Sequence, residues 1–364
     1  MKYVKGFDTI RAIAVLSVII GHWGPSFKPG SPGDVIVSSL IQDGRFGVIL
    51  FFVLSGYLIT SILLNEKIKN TEGKHFTIIK NFFARRALRI FPIYYLVVIF
   101  FYLSNDPFVR AHIWSFLTYT SNLPPYLTNQ PNILSHTWSL SVEEQFYLIW
   151  PWLIILLPKK YIKYVLYLAI IIGLASKYYV LYVLHRHFPV LVFNCFDSFG
   201  VGGLYAWIRL DSEKCKKFER SFVAALPFLL FISWKISHVD GTPLFVMYDR
   251  FLDSIIGVAL IMFVLKNKNE WIRKYILENK ALNFIGKISY GIYLYHFTFS
   301  ASFDNLMHHL SQKAPAVSFL LMNPLLSYCL KFSSLILLCW MSFRFIEQPI
   351  MRLKKKFEYS EKIE

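Results

Sequence analysis

Apolar runs close to the ~20 residues needed to cross a bilayer recur along the whole chain. They fall at 7–25, 44–64, 84–104, 142–157, 161–183, 193–209, 219–236, 250–266, 284–303 and 324–346. A run that is apolar on all sides suits a helix surrounded by lipid or by other helices. The expected fold class is all-α, a polytopic integral membrane protein of about ten transmembrane helices. The run at 142–157 is short, which suits an extended or partly re-entrant segment as well as a helix. The longest intervening segment, 105–141, is rich in Asn, Pro, Ser and Thr. Its one apolar piece, HIWSFL, is suited to an interface or to folding back.

Basic residues decide the expected orientation. Lys2 and Lys5 precede the first run, and Lys67, Lys69, Lys74, Lys80, Arg85, Arg86 and Arg89 follow the second. Lys159, Lys160 and Lys163 follow the fourth; Arg209, Lys214, Lys216, Lys217 and Arg220 follow the sixth. Lys266, Lys268, Arg273, Lys274 and Lys280 follow the eighth, and Arg352, Lys354, Lys355, Lys356 and Lys362 follow the tenth. The alternate loops hold little more than Lys28, Arg110, Arg186 and Lys313. This alternation predicts both termini in the cytoplasm and an even number of spans. MKYVK imitates the charged start of a signal peptide. Arg11 interrupts the apolar stretch behind it, so an uncleaved first helix is expected. The expected organisation is one membrane domain over 1–350 and a basic cytoplasmic tail over 351–364, with no soluble domain appended. No internal repeat suggests inverted transporter halves.

Composition agrees with this reading and narrows the function classes. Hydrophobic residues make up 55% of the chain and charged residues 17%, against ~25% charged in an ordinary soluble domain. The net charge is nevertheless +17. A basic excess on so apolar a chain belongs to the flanks of membrane spans rather than to a soluble nucleic-acid binder. Cys195, Cys215, Cys329 and Cys339 show neither metal-ligand spacing nor a disulfide framework. They read as buried or idle thiols, and no metal is expected.

Ionisable groups inside spans cost several kcal/mol by insertion scales, so they carry the functional question. Arg11 and His22 are eleven residues apart, about three helical turns, and share one face about 16 Å apart along the axis. A cation near the cytoplasmic mouth suits a phosphate, and a histidine deeper along the same face suits proton transfer. A snorkelling arginine and an interfacial histidine are the structural alternatives. His136, Trp138, Ser139, Ser141, Glu143 and Glu144 lead into the fourth run from outside. Carboxylates there serve a helix start as readily as catalysis. The ninth run carries Lys287, Tyr290, Tyr293, Tyr295 and His296, with Tyr293 and His296 on one face. Arg45 and Asp197 are further charges on the outer side. Arg85, Arg86 and Arg89 cluster on the inner side, where lipid headgroups are an alternative partner. The stretch DSFGVGG (197–203) permits close helix approach.

Six segments together carry a family resemblance. They are Arg11 to His22, GRFGVILFFVLSGYLIT (44–60), FFARRALRIFPIYYL (82–96), HTWSLSVEEQFYLIWP (136–151), GKISYGIYLYHF (286–297) and FRFIEQPI (343–350). Their order and spacing resemble the acyltransferase-3 family of multi-pass bacterial membrane acyltransferases over nearly the whole chain. Ile49 stands where the family commonly carries Asp. The resemblance implies acyl transfer from cytosolic acyl-CoA, by default acetyl-CoA, to a hydroxyl of an extracytoplasmic carbohydrate or glycolipid, in the cell membrane. It implies CoA phosphates on Arg11, Arg85, Arg86 and Arg89. It implies His22 as base or acyl carrier, with Glu143 or Glu144 orienting it. His296 and Tyr293 would serve the acceptor or the oxyanion. Arg45, His136, Trp138, Ser139, Ser141 and Asp197 would face the acceptor. A secondary transporter or flippase for an anionic or sugar-linked substrate is the alternative, since intramembrane Arg, His and Glu also suit proton coupling. A membrane scaffold is a third. Acceptor and oligomeric state are not legible.

Overall fold

The structure, a computed structural model, describes residues 4–23, 44–70, 73–128, 132–185, 190–237, 243–313 and 323–357. Lys2, Lys28, Arg186 and Lys362, used above to orient the chain, lie outside the described residues. Among those described, no strand occurs. The main helices are α1 (Gly6–Trp23), α2 (Arg45–Lys69), α3 (His75–Leu103), α4 (Trp138–Leu156), α5 (Lys159–Tyr178) and α6 (Phe196–Ile208). They continue with α7 (Ser212–Ser237), α8 (Pro243–Lys266), α9 (Lys280–Lys287), α10 (Ser289–Ser311) and α11 (Pro324–Ser342). Five stretches among the described residues are long and apolar enough to cross a membrane: α1, α2, α3, α5 extended to Val183, and Leu325–Phe357.

Helix α2 runs through the middle of the bundle, against α1, α4, α6 and α8. In lipid the hydrophobic effect does not pull helices together, so close van der Waals packing must do it. Gly56 and Gly202 provide that packing. A methyl group on Gly56 would overlap the Phe199 carbonyl, and one on Gly202 would overlap the Val53 carbonyl. The Gly-rich stretch of α6 is thus a packing surface for α2. At the periphery, Leu96, Phe100, Leu148, Leu168, Ile171 and Leu337 expose large apolar side chains, as a lipid-facing surface requires.

Two runs differ in detail from the sequence expectation. The run at 142–157 lies in one continuous helix, α4, which starts four residues earlier at Trp138 and is preceded by a 3-10 turn at Ser135–Thr137. Its end is held by Lys67, whose ammonium donates to the carbonyls of Ile154 (2.9 Å), Ile155 (2.8 Å) and Leu157. A cation on the last carbonyls of a helix satisfies orphan acceptors and complements the dipole. The run at 284–303 is broken at Ile288, between α9 and α10. Asn279 caps α9 by accepting from Ala281 N and Leu282 N, and Gly286 lets α9 lie against the Asp8 backbone of α1.

The segment 105–141 folds back on α3. It forms short helices at Pro107–Ala111, Ile113–Leu117 and Leu123–Thr128. The hydroxyls of Tyr94 and Tyr95 donate to the carbonyls of Phe116 (3.0 Å) and Leu117 (2.9 Å), which pins HIWSFL to the bundle. After α11 the chain makes a π-helical turn, Phe343–Glu347, then a 3-10 helix, Arg352–Phe357, that packs on α3. Arg85 Nη1 donates to the carbonyls of Lys354 and Phe357, both at 3.4 Å. The start of the basic C-terminal segment is therefore docked against the arginine cluster.

Candidate active site

Two cavities meet at a wall of arginines. The larger, about 1590 Å³, opens beside Arg85, Lys287, Asp8, Glu66 and Glu347. The smaller, about 750 Å³, runs on from it between α2, α3, α4 and α10 and ends at Ser139 and Tyr293. Arg11, Arg86, Arg89, Leu58 and Tyr290 line both. The three arginines come from two helices: α1 gives Arg11, and α3 gives Arg86 and Arg89 three residues apart on one face. Arg11 Nη1 donates to Asp8 Oδ1 at 2.7 Å. The Arg86 guanidinium stands 5.2 Å from the Tyr147 ring centre and 5.6 Å from that of Phe82. Arg89 has no ion-pair partner within 4 Å among the described residues. The wide cavity is thus a cationic mouth, and the narrow one a partly apolar sleeve lined by Val48, Phe51 and Phe52.

The histidines gather beyond the closed end of that sleeve. His22 Nδ1 and His296 Nε2 are 2.9 Å apart, and the two ring planes are 20° from parallel with centres 5.0 Å apart. His296 Nδ1 contacts the Tyr293 carbonyl at 2.6 Å. The Trp23 indole donates to the His296 carbonyl at 3.2 Å, which fixes the end of α1 against α10. His136 Nε2 contacts the Leu294 carbonyl at 2.9 Å, and its ring stands 5.1 Å from that of His296. Tyr293 joins the two regions: it lines the sleeve, its hydroxyl is 2.5 Å from Ser139 Oγ, and it donates to the His136 carbonyl at 3.0 Å. His22 is exposed, whereas His136, His296, Tyr293 and Ser139 are buried.

The carboxylates stand elsewhere than a triad would need. Glu143 lines the sleeve and accepts from the hydroxyls of Ser55 and Tyr147. Glu144 lines neither cavity, and its Oε1 is buried without a hydrogen-bond partner among the described residues. Neither bonds a histidine among the described residues, and neither caps α4. The serines nearby are tertiary contacts too: Ser141 Oγ is 2.8 Å from Ser121 Oγ.

The remaining expected residues scatter. Trp138 packs on Phe52 with ring centres 6.2 Å apart. Asp197 is fully buried in an ion pair with Lys177, Oδ2 to Nζ 2.5 Å. Neither these two nor Arg45, His136 and Ser141 line the two cavities. Ile49, in the family's Asp position, packs into an apolar cluster with Phe7, Ile10 and Val258 and does not line the sleeve. Residues given no role from sequence also enter the site: Ser55, Tyr147 and Tyr290 in the sleeve, and Glu347 in the mouth. Glu347 is buried, and its Oε1 has no hydrogen-bond partner among the described residues. Its position inside FRFIEQPI, the last of the family-like segments, was the available signal.

Comparison with known proteins narrows the reading. A family model described as an acyltransferase domain matches residues 4–344. A peptidoglycan O-acetyltransferase of Listeria monocytogenes is 27% identical over 388 residues, which cover 96% of this chain and 56% of that protein. A provisionally named O-acetyltransferase of Staphylococcus aureus is 30% identical over 381 residues, or 97% of this chain and 58% of that one. A provisionally named peptidoglycan O-acetyltransferase of Bacillus subtilis is 27% identical over 334 residues, covering 81% and 48%. The chain spans little more than half the length of the first two of these relatives and about half that of the third. No solved structure matches it. The matched stretch takes in α1 to α11, the whole sleeve, the arginine wall and all three histidines, and on that ground the chain belongs to the acyltransferase domain family.

Proposed function

We propose that this chain is a membrane O-acetyltransferase that takes an acetyl group from cytosolic acetyl-CoA and places it on a hydroxyl of an extracytoplasmic carbohydrate. The relatives named for peptidoglycan make a cell-wall glycan the first acceptor to test. In this reading about ten spans cross the cell membrane, both termini are cytoplasmic, and the membrane domain extends to about residue 350. The arginine-walled mouth faces the cytosol, and the histidine end faces out.

The observation that carries the reading is the continuity of mouth and sleeve. A cationic cavity of about 1590 Å³ narrows into one of about 750 Å³ that ends at Tyr293, whose carbonyl holds His296 against His22. Phosphates suit the Arg11, Arg86 and Arg89 wall, since a guanidinium fork matches phosphate oxygens. A thin pantetheine arm suits the sleeve. The Tyr293–Ser139 pair closes the far end, so the thioester reaches His22 only when that pair parts.

The chemistry then follows. His22 takes the proton from the acceptor hydroxyl, and the oxygen attacks the thioester carbonyl carbon. The C–S bond breaks, and CoA leaves as a thiolate. The imidazolium returns its proton to the thiolate, giving CoA and an O-acetyl ester. The test is purified protein with acetyl-labelled acetyl-CoA and glycan fragments. Label on the glycan with loss in His22→Gln supports the reading. Full transfer by His22→Gln overturns it, and movement of an unmodified glycan across the membrane supports a transporter instead.

A further inference from the structure

We infer that His296 is a positioning residue that sets the tautomer of His22 and so aims its basic nitrogen at the acceptor. The inference rests on the acyl-transfer reading above, with His22 as the base.

Donors and acceptors must alternate along a chain of three groups. A carbonyl oxygen only accepts, so the nitrogen facing it must carry the proton. His296 Nδ1 faces the Tyr293 carbonyl at 2.6 Å, and is therefore an N–H donor. In a neutral imidazole the other nitrogen is then a lone pair, so His296 Nε2 is an acceptor. That acceptor faces His22 Nδ1 at 2.9 Å. His22 must therefore donate through Nδ1, and its lone pair is on Nε2. The ring planes are 20° from parallel with centres 5.0 Å apart, an arrangement compatible with an N–H of one ring meeting the lone pair of the other.

The same bond serves the charged state. When His22 accepts a proton at Nε2, its Nδ1–H still donates to His296, and the bond strengthens as the donor becomes cationic. This is the task a buried carboxylate performs in a catalytic triad. Here a neutral imidazole performs it, and neither Glu143 nor Glu144 bonds a histidine among the described residues. The surroundings keep His296 in place. Its ring is buried, His136 stands edge-on at 5.1 Å, and Trp23 holds its carbonyl at 3.2 Å. His136 is itself tied to the next carbonyl of α10, that of Leu294, at 2.9 Å.

Two conservative variants separate positioning from packing. His296→Gln places an amide oxygen about as far out as imidazole Nε2, where it can accept from His22. His296→Asn keeps a donor for the Tyr293 carbonyl but stops short of His22. His296→Phe keeps the ring volume and removes both functions. Acetyl transfer by the full-length protein should fall ~100-fold in kcat for the Phe and Asn variants, the scale of lost general-base catalysis. The Gln variant should recover to within about tenfold of wild type. KM for acetyl-CoA should stay within about threefold throughout, because the arginine wall is untouched. Asn matching or exceeding Gln, or Phe retaining wild-type kcat, overturns the inference. Should Phe fail to fold, the Gln–Asn order still decides. Nitrogen NMR of histidine-labelled protein is independent of turnover: it should show His22 protonated at Nδ1 in wild type and not in His296→Asn. Loss of transfer in wild type itself counts against the acetyltransferase reading and leaves the NMR test of the tautomer standing.

Discussion

Arg89 offers the sharpest test of the donor site. Replacing it with methionine keeps the length of the side chain and removes its charge. Three neighbouring arginines differ in what they already bond. Arg11 is engaged by Asp8 at 2.7 Å, and Arg85 by the carbonyls of Lys354 and Phe357 at 3.4 Å. Arg89 has no ion-pair partner within 4 Å among the described residues, and it lines both cavities. Its fork is therefore the most available to a phosphate. A hydrogen bond to a charged group contributes about 1.5–3 kcal/mol, so Arg89→Met should weaken acetyl-CoA binding about 10–150-fold. Arg11→Met should cost less, and Arg85→Met less again. Stability should move differently. The change removes a half-buried cation that has Arg11 and Arg86 as like-charged neighbours. The ligand-free variant should thus be at least as stable as wild type, with an unchanged or higher Tm. Calorimetric titration of detergent-purified protein with acetyl-CoA, alongside thermal unfolding without it, reads both. Binding within twofold of wild type in Arg89→Met, or a larger loss in Arg85→Met, would refute the reasoning.

Other expectations follow from the packing and the gate. Lys177→Met alone leaves Asp197 buried and uncompensated, so it should cost about 3–5 kcal/mol, while Lys177→Met with Asp197→Leu should recover most of that. Unfolding in detergent checks it, and equal single and double variants would contradict it. Gly202→Ala should lower Tm, with a cost of about 1–3 kcal/mol, because the new methyl meets the Val53 carbonyl rather than a yielding side chain. Ile49→Asp should destabilise by about 2 kcal/mol or more without raising activity, since that side chain sits in an apolar cluster and does not line the sleeve. Tyr293→Phe removes the hydroxyl that contacts Ser139 and the His136 carbonyl; kcat should change about tenfold with acetyl-CoA affinity unchanged, measured by steady-state transfer.

Helices were legible from the apolar runs because lipid-facing and bundle-facing surfaces are both apolar, so each span stands out against polar loops. Their ends were less so. The break at Ile288 falls inside GKISYG, where apolar and polar positions continue without a helix-breaking Pro, and only the docking of Gly286 on α1 marks it. Arg11 and His22 were legible by helical periodicity, since eleven residues return to the same face. His296 was expected at a level comparable with His22, and the two rings are in contact. The partners of these groups were not legible, because a tertiary contact leaves no local trace. One of Glu143 and Glu144 was expected beside a histidine, and Glu143 meets Ser55 and Tyr147. Asp197 was expected to face an acceptor and instead pairs with Lys177. Lys67 reads from sequence only as an orientation charge, although it also closes the end of α4.

The most direct test of the central claim uses sealed proteoliposomes in which the protein has one known orientation. Labelled acetyl-CoA is supplied on the side of the Arg11–Arg89 mouth, and a glycan acceptor on the side of His22. The account predicts label on the glycan and free CoA left on the mouth side, with both lost in His22→Gln. Label that appears only when acetyl-CoA is supplied on the His22 side, or a glycan that crosses unlabelled, would contradict it.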